Sequence, residues 1–121
     1  MIIGGLLGVS ALIHILPLSG VLGRERLKAL YGVAIDDPTT LLAMRHRAVL
    51  FGCLGAFLVA AIFVAELRIA AVVTVGLADL GFLVLALATP GKHPAMKKVV
   101  IADVVSLVVL AGALVDLLLL A

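Results

Sequence analysis

Charge is scarce in this chain. Asp, Glu, Lys and Arg make up 13% of its 121 residues, against about a quarter in ordinary soluble domains. Hydrophobic residues reach 65% where about half is usual, and the mean hydropathy is +1.40. A water-soluble domain this short would carry far more apolar surface than its interior could hide. A soluble enzyme, a nucleic-acid-binding module and a disordered tail are therefore excluded. Cysteine is nearly absent too. Cys53 stands alone, which rules out an internal disulfide and any CxxC-dependent membrane thiol oxidoreductase, and leaves it as a small apolar filler. There is no HExxH, no histidine pair at i, i+4 and no Walker A sequence, so neither a metal nor a nucleotide cofactor is expected. No internal repeat relates one part of the chain to another.

Long apolar runs are abundant. A spanning helix needs about 20 mostly apolar residues at ~1.5 Å rise each, and four segments qualify, at about 1–23, 40–65, 69–88 and 99–121. They are too long, and alternate too little, for barrel strands; an open chain in lipid would leave backbone groups unpaired. The expected fold is all-α and membrane-embedded, a single domain over residues 1–121 forming a four-transmembrane-helix bundle. The first run lacks a basic n-region and a small-x-small cleavage site, so it reads as a retained span. Lys and Arg set the orientation. Arg24, Arg26, Lys28, Arg45 and Arg47 flank the first connection and Lys92, Lys97 and Lys98 the third, eight of the nine basic residues. Arg68 lies on the opposite side. Both basic loops are thus expected in the cytoplasm and both termini outside.

The first connection carries a short amphipathic segment. Leu27, Leu30 and Tyr31 fall at i, i+3, i+4 with Arg24, Glu25 and Lys28 opposite them, the pattern of a turn lying at the membrane interface with Tyr31 at headgroup level. Gly32 ends it. Asp37 followed by Pro38 is a helix start, an N-cap and then the first helical position. Thr89-Pro90-Gly91 ends the third span, and residues 66–68 make a tight outer hairpin.

An ionisable group inside a span costs about 3 kcal/mol or more unless it is paired or hydrated, so each one is a candidate site residue. They sort into three depths. Innermost are Arg45, His46 and Arg47, ~10–13 Å along the helix that starts at Pro38, with Asp103 one turn inside the fourth span and Ser106 on its face. The three basic side chains leave the helix in three directions. Arg45 heads a small-residue stripe (Val49, Gly52, Ala56) suited to helix contact. His46 shares a face with Leu50, Cys53 and Phe57. Arg47 lies above Phe51, Leu54 and Leu58, a lipid-facing stripe on which it would snorkel. Two readings stand: an Arg–Asp pair that fixes packing, or a cytoplasm-facing pocket in which an Arg and His46 hold a polar or anionic head while Asp103 orients them. At mid-membrane are His14 and Asp79. Ser10 shares the face of His14, and Pro17 leaves the Ile13 carbonyl without its helical partner. This pair is either interhelical glue or a proton-accepting, ligand-facing site. Outermost are Asp116 and Arg68, level with the amino terminus. Gly4 and Gly8 form a GxxxG contact face, and His93 is a solvated loop residue.

Leu30-Tyr31-Gly32, Asp37-Pro38, the run Leu42 to Gly52, His14…Pro17 and Ala102-Asp103 together resemble small bacterial four-span inner-membrane proteins of the DoxX-like type. The resemblance covers nearly the whole chain and is most specific in the RHRAVLFG run from Arg45 to Gly52. Members often carry the label phosphopantetheine adenylyltransferase, an activity that uses an α/β nucleotide-binding fold and a His-x-Gly-His element after an Asp-Pro turn. Here Asp37-Pro38 is present, but His46 follows Arg45 rather than Gly, and no length remains for a parallel sheet. The resemblance therefore implies architecture rather than a reaction. Three functions fit. The first is binding or processing of a lipid- or quinone-like molecule at the cytoplasm-side site. The second is proton-coupled transport, similar to small multidrug exporters but without their Glu in span one or a Trp. The third is a non-catalytic structural subunit whose charges specify packing. Short spans with glycine-rich faces bury little interior, so a homo-oligomer, dimer or trimer, is expected.

Overall fold

The computed structural model describes residues 2–32, 34–91 and 94–119. In chain order it contains α1 (Ile2–Ile15), a 3-10 segment (Leu16–Leu22), α2 (Arg24–Tyr31), α3 (Pro38–Phe63), a 3-10 turn (Ala65–Leu67), α4 (Arg68–Leu87) and α5 (Met96–Leu119). Four stretches are long and apolar enough to cross a membrane: Ile2–Leu22, Pro38–Phe63, Ala65–Leu87 and Met96–Leu119. No strand occurs among the described residues. The chain is an all-α four-helix bundle with the architecture of a multi-pass membrane protein. Met1, Ala121, Lys92 and His93, assigned above to span ends and to the second basic loop, lie outside the described residues.

Local chemistry sets the helix boundaries. Pro17 has no N–H to return to Ile13, and there α1 gives way to the 3-10 segment, with the proline in its first turn. Gly32, in the left-handed region at φ 74°, closes α2 by donating its N–H to the Lys28 carbonyl. Asp37 caps α3: its Oδ2 accepts from the Thr40 N–H and from Thr40 Oγ1, each at 2.9 Å. Those two donors, the backbone one foremost, hold the Asp37 carboxyl below its ordinary range. A carboxyl depressed in the folded state stabilises the fold above its unfolded pKa, and that contribution disappears as pH falls through the folded value. Asp37→Ala should therefore lower the melting temperature in detergent at pH 7, and the gap to the parent should close on acidification below about pH 4. A gap that widens in acid would show that the cap does not act through its carboxylate.

α1 packs on both α3 and α5, whereas α4 packs chiefly on α5 and less on α3. Lipid tails are as apolar as leucine, so close approach and van der Waals fit hold such helices together. The core shows this: Ala11, Ala61, Ala71 and Ala113 are buried among Leu7, Leu58, Val75 and Leu110. Only 22–28% of each spanning stretch is buried within the chain, so most of each helix circumference faces outward. The inward stripe of α3 is Ala48, Gly55, Leu58 and Ala61, not the expected Arg45–Val49–Gly52–Ala56 stripe, whose Val49 and Ala56 are exposed. The Gly4/Gly8 face is also corrected. A Cβ on Gly4 would only touch Ile62 at 4.0 Å and one on Gly8 would meet nothing, whereas Gly55 lies hard against α1.

At the basic-loop end, Leu27, Tyr31 and Ile35 form a second small core with Leu41, Met44, Met96 and Val99. Tyr31 is 8% exposed. Its ring turns into the bundle rather than toward headgroups, because this apolar cluster offers it a complete packing partner.

Candidate functional site

α1, α4 and α5 meet around one hydrogen-bonded chain. His14 Nδ1 lies 2.8 Å from the carbonyl of Ser10, one turn earlier, and Nε2 lies 2.7 Å from Asp79 Oδ1. Asp79 Oδ2 accepts from Ser106 Oγ at 2.7 Å, and Ser106 Oγ is 2.7 Å from Ser10 Oγ. A carbonyl can only accept, so Nδ1 carries a hydrogen. The Nε2–Oδ1 contact then needs one further proton, on either atom, giving an imidazolium–carboxylate or an imidazole–carboxylic acid pair. With the Ser106 hydroxyl committed to Asp79, Ser10 donates to Ser106. Ser10, His14, Asp79 and Ser106 are all at most 2% exposed, and within this chain each has a partner.

Asp103 does not. It sits beside Asp79, within electrostatic reach of His14 and Arg47, and is 8% exposed. Its Oδ2 is buried without a protein hydrogen-bond partner among the described residues. An unmet buried acceptor costs about 1–3 kcal/mol. By run length alone Asp103 belongs to a separate, shallower layer than Asp79. α5 instead begins at Met96, so Asp103 is ~10 Å along it, and Asp79 is ~12 Å from the same end on α4. Asp103, Ser106 and Arg47 of the inner layer thus join His14 and Asp79 of the middle one in a single site.

Arg47 completes it. Its guanidinium carbon stands 4.9 Å from the ring centre of Phe51, 5.3 Å from that of Tyr31 and 5.4 Å from that of Phe82. Nη1 donates to the Tyr31 hydroxyl at 3.1 Å. Each such cation–ring contact is worth about 0.5–2 kcal/mol, more as water is excluded, which accounts for a half-buried guanidinium with no acid at salt-bridge distance among the described residues. A cavity of about 280 Å³ opens between these groups, bounded by His14, Arg47, Asp103, Tyr31, Phe51 and Phe82, with Lys98 at its edge and Ile13, Leu16, Pro17 and Ala102 among its apolar walls.

Not every candidate residue belongs here. Arg45 and His46 are exposed and line no part of the cavity. Arg45 Nε donates to the Val21 carbonyl at 2.8 Å, tying down the end of the 3-10 segment. His46 lies on an outward stripe with the exposed Leu50 and Cys53. One residue of three consecutive ones can point inward on a helix, and it is Arg47, because the stripe read as lipid-facing contains the fully buried Leu58. Ser106 serves Asp79 rather than an Arg/His46 pocket. In the outer layer, Arg68 donates Nε to Ala61 O and Nη2 to Ile62 O, both at 2.9 Å, and so caps the carbonyl end of α3, where a cation is favoured. It makes no ion pair with Asp116; among the described residues the ion pair is His14–Asp79.

Tyr31 and Phe82 were missed as site residues. Phe82 is three residues after Asp79 and so shares its face, a signal the sequence did carry. The partnership of Tyr31 with Arg47 is a product of how α2 folds back. The chain matches no protein-family model, no curated protein and no solved structure.

Proposed function

We propose that this protein binds a quinone-like molecule within the membrane, its oxygen-bearing ring in the cavity between His14, Arg47 and Asp103. The carrying observation is Asp103 in the wall of the cavity, its carboxyl keeping a buried oxygen without a hydrogen-bond partner among the described residues, beside His14 and Arg47 and facing apolar and aromatic side chains. A neutral head fits better than an anionic one, because Asp103 lines the cavity with Asp79 beside it and the guanidinium of Arg47 is already engaged by three rings and a phenol. A quinone carbonyl accepts a hydrogen bond and a quinol hydroxyl donates one. A carboxyl group can answer either, as acid or as carboxylate. Phe51 and Phe82 supply ring faces for stacking. In a bacterial inner membrane, which the resemblance implies, the distribution of Lys and Arg favours both termini outside, and the cavity then lies in the cytoplasmic half.

The test is binding of a tail-less dimethoxy-methyl-benzoquinone to the protein in nanodiscs, measured by titration calorimetry. Saturable binding is expected. Asp103→Leu should weaken it at least tenfold, about 1.4 kcal/mol, while leaving the melting temperature equal or higher, since an unmet polar group has been removed. Arg45→Ala and His46→Ala should bind as the parent does. Absence of saturable binding, or an Asp103→Leu protein that binds unchanged, overturns the reading. A lower melting temperature in Asp103→Leu would assign Asp103 to the fold instead.

A further inference from the structure

We propose that the groove between α3 and α4 is a second subsite, holding the hydrocarbon tail of the molecule whose head occupies the cavity; this rests on the head-group reading above. At about 280 Å³ the cavity lies near the lower end of pockets that enclose small molecules, roughly 300–1,000 Å³. It accommodates a ring and leaves no volume for a long tail. A second space of about 370 Å³ adjoins it and shares four of its walls, Arg47, Phe51, Phe82 and Asp103. Beyond that shared wall the groove is hydrocarbon-lined, by Leu54, Leu77, Ala78, Gly81 and Leu85. It runs along the seam where α4 leans on α5 and leaves α3 less covered, and Leu77 and Leu85 are 64% and 69% exposed. Asp103, whose Oδ2 is unmet among the described residues, borders both spaces, so a head held by Asp103 has its substituent directed either here or toward Lys98. An apolar tail takes the uncharged route, which opens sideways to the bilayer.

Gly81 makes the idea testable. A Cβ there would meet nothing within 4 Å, so a larger side chain fills the groove without disturbing packing. Gly76, one helix face away on α4 and also open, lines a different apolar surface and controls for added bulk. The probes are the tail-less benzoquinone and its decyl-substituted counterpart, titrated into the same nanodiscs. Gly81→Leu should weaken decyl-quinone binding at least fivefold and leave the tail-less quinone within twofold of the parent, while Gly76→Leu changes neither. Ala78→Leu, whose parent residue is exposed in the same groove, should repeat the result if Gly81→Leu folds poorly. Unchanged decyl affinity in both groove variants, or equal loss for both quinones, overturns the tail subsite while the head site stands. If the tail-less quinone does not bind the parent protein, the head site fails and the subsite with it. Should Gly81→Leu convert an oligomer to monomer by light scattering, the groove is a contact between copies and the proposal falls.

Discussion

Asp79→Ala should destabilise the bundle by about 3 kcal/mol, whereas Asp79→Asn should stay within about 1 kcal/mol of the parent. The carboxylate receives both His14 and Ser106, linking α4 to α1 and α5. Interhelical hydrogen bonds in membrane proteins average only about 0.6 kcal/mol, so two of them alone predict a loss just over 1. The larger figure comes from what alanine leaves behind: His14 Nε2 buried without a partner, and one hydroxyl hydrogen of the Ser10–Ser106 pair without Asp79 to accept it, at about 1–3 kcal/mol each. Asparagine escapes this. Its amide can donate to a neutral Nε2 while its carbonyl accepts from Ser106, so every hydrogen bond survives with no charge at all. Unfolding in mixed micelles, followed by helical circular dichroism, separates the cases. If asparagine is as damaging as alanine, the pair is held as ions. A loss below 0.5 kcal/mol for alanine would show that the chain of hydrogen bonds does not hold these helices. Asp103, adjacent to Asp79, is the group able to swing toward His14 in its place, and the double alanine variant should then lose more than the two single losses combined.

How much of this was legible beforehand depends on what fixes each feature. The spans follow from run length and hydropathy, and their ends from local rules: Asp37-Pro38 starts α3, and Gly32 ends α2, where the sequence put them. His14 and Asp79 stood out because charge is so costly in lipid that few such groups occur. Helix rotation was not legible. Arg45, His46 and Arg47 are equivalent by composition, and a stripe of phenylalanine and leucine serves equally against lipid and against another helix, so periodicity cannot say which side of α3 faces in. The decision lies in contacts between helices far apart in sequence, above all at Gly55. Depth failed for a smaller reason. Starting the last helix at residue 99 instead of Met96 moved Asp103 by ~4.5 Å, enough to split one polar cluster into two layers.

Gly55→Ala should be more damaging than alanine at Gly8, Gly52 or Gly76, the other helical glycines compared, and Gly52→Ala should be mild although it lies less than one turn from Gly55. A Cβ on Gly55 would lie 2.5 Å from Ile15 Cγ1 and 3.2 Å from the backbone carbonyl of Ala11. Cγ1 is the first carbon past a branched Cβ, with few rotamers to retreat into, and the carbonyl cannot move unless α1 moves. Overpacking of this kind costs about 1–3 kcal/mol, and Gly55→Leu should exceed it. On Gly52 the nearest atom is Leu18 Cδ1 at 2.8 Å, the far end of a flexible side chain that is 36% exposed and free to turn away. Gly8→Ala and Gly76→Ala, with open space around them, should be neutral or slightly stabilising, as alanine is the better helix former by about 1 kcal/mol. Melting temperatures of the four alanine variants should therefore fall in the order Gly76 and Gly8, then Gly52, then Gly55. The same contact governs the site, because the approach of α1 to α3 brings His14 to 6.0 Å from Phe51 and closes the cavity wall between them. Gly55→Ala should thus weaken benzoquinone binding along with stability, while Gly52→Ala spares both. A Gly55 variant that melts low yet binds normally would mean that the cavity is held by α4 and α5 without the help of the α1–α3 contact.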